Sequence, residues 1–130
     1  MSDPEQPRIG TVGWFDLTVS DAENVKDFYA AVTGWKPSPV DMGGYNDFNM
    51  TLPDNGDPVA GICHALGGNA NLPATWLIYI TVEDVDASAE ICRQLGGQVV
   101  AAPRDTGDTG RYCLIQDPAG AIAALFAYKK

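Results

Sequence analysis

The period of apolar and polar positions changes repeatedly along the chain. From Trp14 to Val19 the two alternate. Phe15, Leu17 and Val19 fall on one face, and Trp14, Asp16 and Thr18 on the other. That two-residue period predicts a strand with one greasy and one mixed face. Ser20 or Asp21 suits a helix N-cap, and Val25, Phe28, Tyr29 and Val32 follow at helical spacing as the predicted inward stripe. Gly34 suits the left-handed end of that helix. Three more strands are predicted at residues 35–40, 45–50 and 59–64, with Pro37 and Pro39 holding the first to a sheet edge. Turns are predicted at Met42-Gly43-Gly44 and over residues 54–58, and a polar link over 67–73.

The pattern then starts again. Ile78, Ile80 and Val82 alternate with Leu77, Tyr79 and Thr81. Asp84 or Asp86 caps a second helix, predicted to turn Ala87, Ile91 and Leu95 inward and to end at Gly96-Gly97. A strand at 98–101, a turn-rich loop at 103–110, a strand at 111–116, a turn at Asp117-Pro118-Ala119-Gly120 and a strand at 122–128 complete the prediction.

The second half is a copy of the first. Leu17-Thr18-Val19-Ser20-Asp21 recurs 63 positions on as Ile80-Thr81-Val82-Glu83-Asp84. The same offset carries Gly34 onto Gly97 and Asp54 onto Asp117. It also carries Val59-Ala60-Gly61-Ile62 onto Ile122-Ala123-Ala124-Leu125. Four features sharing one ungapped offset indicate an internal repeat of about 60 residues. Each copy reads strand, helix, three strands. The predicted fold is therefore α+β: two tandem βαβββ modules, residues 9–66 and 75–128, in one domain (9–128) after a loose tail (1–8). A helix covers one face of such a sheet. The bare faces are expected to form a curved sheet around a cleft.

Composition narrows the partners. The chain of 130 residues carries a formal charge of −9, which repels phosphate backbones and anionic lipid, so neither nucleic acid nor membrane is an expected partner. No apolar run reaches spanning length. Three cysteines, Cys63, Cys92 and Cys113, are an odd, scattered set, which argues against a disulfide framework and for a cytoplasmic location.

Val19-Ser20-Asp21 ahead of Phe28-Tyr29, the helix ends Gly34-Trp35 and Leu95-Gly96-Gly97, and the Asp117-Pro118-Ala119-Gly120 turn occur in order on the repeat. In these features the chain resembles the vicinal oxygen chelate superfamily, which includes glyoxalase I, extradiol dioxygenases, methylmalonyl-CoA epimerase and bleomycin-resistance proteins. The resemblance spans residues 9–127. It implies up to four His, Glu or Gln metal ligands on the first and last strands of each module. The matching positions here are Trp14, Gly61, Leu77 and Ala124. None offers a donor to a divalent ion, so no metal and no other cofactor is expected. His64, the one histidine, is expected to face solvent at a strand end, away from Gly61. The resemblance also implies a homodimer, with module swapping left open.

The expected cleft is lined by Trp14, Asp16, Gly61, Cys63, Leu77, Tyr79, Tyr112, Ala124 and Phe126, with Gly61 and Ala124 leaving room. Leu114, Gln116 and Ile122 are further candidates. Asp16 has two readings: a desolvated general base, or a structural acceptor of hydrogen bonds. The leading functional expectation is a metal-free protein binding an apolar or aromatic small molecule, neutral or cationic given the acidic chain. The alternatives are a cofactor-independent isomerase or lyase using Asp16 with Tyr79 or Tyr112, a metal-dependent glyoxalase- or dioxygenase-type enzyme, and an interaction module with no small ligand.

Overall fold

The computed structural model describes residues 8–66 and 70–129. The tail expected at 1–8, except Arg8, and residues 67–69 of the expected link lie outside the described residues. The elements are β1 (Val12–Val19), α1 (Ala22–Thr33), β2 (Lys36–Asp41), β3 (Asn46–Thr51), β4 (Pro58–His64), β5 (Trp76–Thr81), α2 (Val85–Gln94), β6 (Gln98–Thr106), β7 (Gly110–Gln116) and β8 (Ile122–Tyr128). This is the predicted α+β arrangement of two βαβββ modules. The chain falls into two compact units: one runs Trp14–Trp76, and the other takes the chain up to Gly13 and from Leu77 onward. The start of β1 goes with the second unit because Gly10 and Thr11 exchange backbone hydrogen bonds with Thr81.

Within each module the strand order is the same: β2-β3-β4-β1 in the first and β6-β7-β8-β5 in the second. β1 pairs parallel with β4 through Asp16↔Gly61, Leu17↔Ile62 and Thr18↔Cys63. β5 pairs parallel with β8 through Tyr79↔Ala124, Ile80↔Leu125 and Thr81↔Phe126. Each pair of the second set lies 63 residues beyond its counterpart, so the sequence repeat is a structural repeat in register.

Strand alternation sends one face of each sheet against its helix. In the first module Leu17, Phe48, Met50, Ala60 and Ile62 are buried with Ala22 of α1, and Val19, Val25, Tyr29, Trp35 and Trp76 pack around them. Trp76 Nε1 donates to Tyr29 Oη at 3.0 Å, which satisfies both polar tips inside an aromatic cluster. The second core joins Cys113 and Leu125 to Val85 and Ala89 of α2, with Ile80, Val82, Val99 and Ile115 around them.

The helix starts are as predicted. Asp21 Oδ1 accepts the Asn24 N–H and Asp84 Oδ1 accepts the Ala87 N–H, each at 3.1 Å. Other details differ from the expectation. Phe28 and Val32 are exposed on α1, and Ala87 and Ile91 on α2, as is Leu95 just past its end. The buried face of α2 is Val85 and Ala89, with Cys92 half-buried. Both helices are apolar on two adjoining faces: α1 seats Ala22, Val25 and Tyr29 on the sheet, and α2 seats Val85 and Ala89.

Gly34 (φ 85°) and Gly96 (φ 95°) are the left-handed residues at the helix ends, so the conformational counterpart of Gly34 is Gly96, not Gly97. Gly97 serves close approach instead: a Cβ there would stand 2.5 Å from Cys92 Sγ and 2.8 Å from the Gln116 carbonyl oxygen. β6 continues to Thr106 where a loop was predicted from 103. Register shifts on either side of Ala101 let this edge strand carry Pro103, which has no N–H to give. None of the described helices is long and apolar enough to cross a membrane.

Asp21→Ala and Asp84→Ala remove equivalent caps. Each should lower the free energy of unfolding by about 1 kcal/mol, with little change in the denaturant slope, measured by urea titration followed by circular dichroism.

Candidate functional site

The face of the first module opposite its helix carries the chemistry. Alternation on β1 places Trp14, Asp16 and Thr18 there, and the β1–β4 register sets Asp16 beside Gly61 and Thr18 beside Cys63. Trp14 Nε1 donates to Asp16 Oδ1 at 2.9 Å, and Cys63 Sγ lies 3.9 Å from Asp16 Oδ2. Four of the predicted residues, Trp14, Asp16, Gly61 and Cys63, are thus brought together.

The role expected of Gly61 changes. A Cβ at this position would overlap Asp16 Oδ1 and stand 3.4 Å from Trp14 Nε1. The space that the missing side chain leaves is taken by the Asp16 carboxylate. Only glycine lets a carboxylate lie flat against β4, and the indole N–H then holds it there.

Asp47 of β3 belongs to the same group, though the sequence reading did not single it out. It shares the parity of Asn49 and Thr51, opposite core residues Phe48 and Met50, so the signal was present in the alternation. Its Oδ1 accepts the His64 backbone N–H at 2.9 Å and lies 3.3 Å from His64 Nδ1. His64 therefore does not face solvent as expected. Its side chain is 16% exposed, and its ring meets that of Tyr45 edge-on at 5.4 Å. The Asp47 pairing outweighs bare strand alternation, because the last strand residue is free to turn toward an acceptor.

Cys63 sits between two carboxylates. Burial first, and then the negative charges of Asp16 and Asp47, push its thiol well above its ordinary value of 9.0. It stays a neutral S–H and a weak donor, not a nucleophile. Cys113 is likewise raised, to about 11, chiefly by burial. All three cysteines are free.

The corresponding face of the second module is apolar. Tyr79 and Ala124 are strand partners, as are Tyr112 and Phe126. Leu77 and Ala124 are 2% and 0% exposed, and Leu114 is buried as well. The Arg104 guanidinium lies 5.3 Å from the centre of the Tyr112 ring, a contact the sequence reading did not foresee. Gln116 is committed elsewhere: its Nε2 donates to the Gly120 carbonyl at 3.1 Å and braces the last turn.

A cavity of about 440 Å³ in this unit lies near the start of α2 and shares no residue with the predicted site. Its Arg111 is bidentate on Asp86, at 2.7 and 3.0 Å, and reaches Asp105 at 3.3 Å, so that charge is already compensated.

The positions to which the resemblance assigns metal ligands hold indole, hydrogen, isobutyl and methyl side groups. Among the described residues no three His, Cys, Asp or Glu side chains converge on a point where an ion could sit. The residues present do not fit a divalent metal there.

Gly61→Ala should displace the Asp16 carboxylate and break its bond to Trp14. The expected cost is about 1–3 kcal/mol in urea unfolding, with a change in tryptophan emission. Adding Asp16→Ala should make the pair cost less than the two single changes together. The Cys63 thiol makes a second prediction. A proton held more tightly in the folded chain contributes stability that is present below pH 9.0 and is lost as pH rises toward the folded value. The urea midpoint should therefore fall further between pH 8 and 10 in the wild type than in Cys63→Ala.

Comparison with known proteins agrees with the fold. The family description "Glyoxalase/Bleomycin resistance protein/Dioxygenase superfamily" matches residues 11–124. The chain is 39% identical over 122 residues to "Putative glyoxylase CFP32" of Mycobacterium tuberculosis, covering 92% of this chain and 46% of the relative. It is 32% identical over 132 residues to "Anthracycline biosynthesis protein DnrV" of Streptomyces peucetius, covering 90% and 46%. The chain thus spans about half the length of the curated relatives it matches. Among solved structures, a hypothetical protein, BH1468, from Bacillus halodurans superposes with a TM-score of 0.63 at 12% identity, covering 95% of this chain and 97% of the other. Methylmalonyl-CoA epimerase from Mycobacterium tuberculosis gives 0.56 at 15%, covering 97% and 95%. At such identities these likenesses speak for the fold alone. By the family match and the identity to its relatives together, the chain belongs to the glyoxalase/bleomycin resistance protein/dioxygenase superfamily.

Proposed function

We propose that this chain is a metal-free small-molecule-binding protein that takes an apolar or aromatic ligand against Trp14, and that it acts in the cytoplasm as a homodimer. The observation that carries the reading is the Trp14–Asp16–Gly61 arrangement. The position of a metal ligand is filled by an indole whose edge is pinned by a carboxylate, and that carboxylate is seated on a glycine. A ring fixed this way loses little freedom when a flat ligand stacks on it. Cys63, the remaining predicted contact in this module, is a neutral thiol and only weakly polar. The Streptomyces relatives bear the name of anthracycline biosynthesis, and anthracyclines are planar polycyclic aromatics. That supports an aromatic ligand. The Asp16 and Asp47 carboxylates favour a neutral or cationic ligand over an anionic one.

The alternative, proton transfer by Asp16 with a tyrosine, is less well supported. An indole N–H and a thiol already face the carboxylate, so the oxygens a base would turn toward a substrate are engaged within the module. A thermal-shift screen with planar polycyclic quinones and aromatic amines tests the reading. A ligand at one hundred times its dissociation constant adds about 2.7 kcal/mol to stability. The shift should vanish in Trp14→Ala and persist in Asp16→Asn. No stabilisation by any planar aromatic would remove the binding reading. Turnover of a bound compound that Asp16→Asn abolishes would establish the enzyme instead.

A further inference from the structure

The polar groups of the first module are paired with one another unevenly. The Trp14 indole N–H goes to Asp16 Oδ1, and the Cys63 thiol lies 3.9 Å from Asp16 Oδ2. Asp47 Oδ1 accepts the His64 backbone N–H at 2.9 Å and faces His64 Nδ1 at 3.3 Å. Cys63 joins the two groups, since both carboxylates act on its thiol. All of these residues belong to the one compact unit Trp14–Trp76.

The Asp47 pairing decides what the His64 ring can offer. An ionised carboxylate only accepts hydrogen bonds, so Nδ1 must carry the proton. In the neutral ring Nε2 is then left with its lone pair. Among the described residues nothing pairs with Nε2. It lies across the ring from the anchored nitrogen and so points away from Asp47. The ring is held as well as oriented: both side chains of the pair are largely buried, and Tyr45 meets the imidazole edge-on at 5.4 Å. Each side-chain N–H and S–H of the cluster is thus committed to a carboxylate, while one acceptor stays open. A ligand that carries only carbonyls meets no partner among these groups, whereas one that brings an acidic O–H meets Nε2. His64 is three residues past Gly61 on β4, about 10 Å along the strand. Gly61 is where the Trp14 indole and the Asp16 carboxylate come together. A system of three fused rings spans such a distance.

We propose that Nε2 of His64, turned outward by Asp47, accepts a hydrogen bond from a phenolic hydroxyl of the ligand, so that the aromatic held against Trp14 is a hydroxylated one. His64 makes the contact, and Asp47 is a positioning residue that fixes which nitrogen is protonated. The inference rests on the ligand-binding reading above and names the chemical class that the site selects. A neutral phenol also suits a face whose other polar groups are carboxylates.

Two measurements on the full chain test it. The chain has one histidine, so nitrogen-15 NMR with the ring neutral reads its tautomer without ambiguity. Nδ1 should carry the proton in the wild type, and Asp47→Ala should return the ring to the Nε2–H form that an unpaired imidazole prefers. An Nε2–H form in the wild type would sink the inference. Isothermal titration calorimetry then compares 2-hydroxyanthraquinone with 2-methoxyanthraquinone, which stack alike but differ in the donor. Wild type should bind the hydroxy compound about fivefold more tightly or better, the worth of one hydrogen bond. His64→Phe keeps a ring beside Tyr45 and should bring the ratio to about one, with the methoxy compound unaffected. Trp14→Ala should lose both compounds. Equal binding of the two by the wild type would overturn the inference and leave the aromatic reading standing. Binding of neither would overturn both.

Discussion

The pairing of each module's first strand with its last, parallel and in one fixed register, is the constraint on which the rest depends. A slip of one residue would exchange every side chain between the helix-facing side and the other. Leu17↔Ile62 and Ile80↔Leu125 hold the apolar residues under the helices. The same register sets Asp16 against Gly61 and Tyr79 against Ala124 on the opposite face. Core and candidate site are therefore fixed by one arrangement. The helix side supplies the burial that pins the register, and the far side, where Leu77, Leu114 and Ala124 are buried as well, carries the candidate site.

The far side differs between the two copies. The first carries a polar cluster in which one carboxylate accepts an indole N–H and another pairs with a histidine, with a protonated thiol between them. The second carries tyrosines, a phenylalanine and fully buried aliphatic groups, with Arg104 over an aromatic ring. The two copies share a backbone because the parallel pairing and its register are the same in each. They do not share chemistry, because the outer parity holds different side chains in each. A shared scaffold carries no single reaction for the same reason.

How far this was legible in the sequence follows from the same physics. Strand alternation and the 63-residue offset placed the modules, the caps Asp21 and Asp84, and the gathering of Trp14, Asp16, Gly61 and Cys63. Each of those depends only on local period or on the repeat. Val25 and Tyr29 of α1 meet the core as expected, whereas Phe28, Val32 and the α2 stripe were misjudged, because both helices are apolar on two adjoining sides and period alone cannot say which side meets the sheet. Small residues at Ala22, Ala89 and Gly97 decide it, by letting helix and strand approach closely. The Asp47–His64 pair was missed because it joins separate strands through a residue at a strand end, where alternation ceases to fix direction.

Gly61 shows most sharply what sequence and structure each contribute. In sequence it is the absence of a donor where the superfamily places one. In three dimensions it is a seat for the neighbouring strand's carboxylate, and the carboxylate in turn orients the indole that stands at a second such position. The two substitutions are therefore coupled: with any larger residue at 61 the carboxylate would be displaced and the indole would lose its partner. A site altered by independent losses would carry no such dependence. The dependence ties Trp14, Asp16 and Gly61 into one packed unit, so that a change at any one of the three reaches the other two.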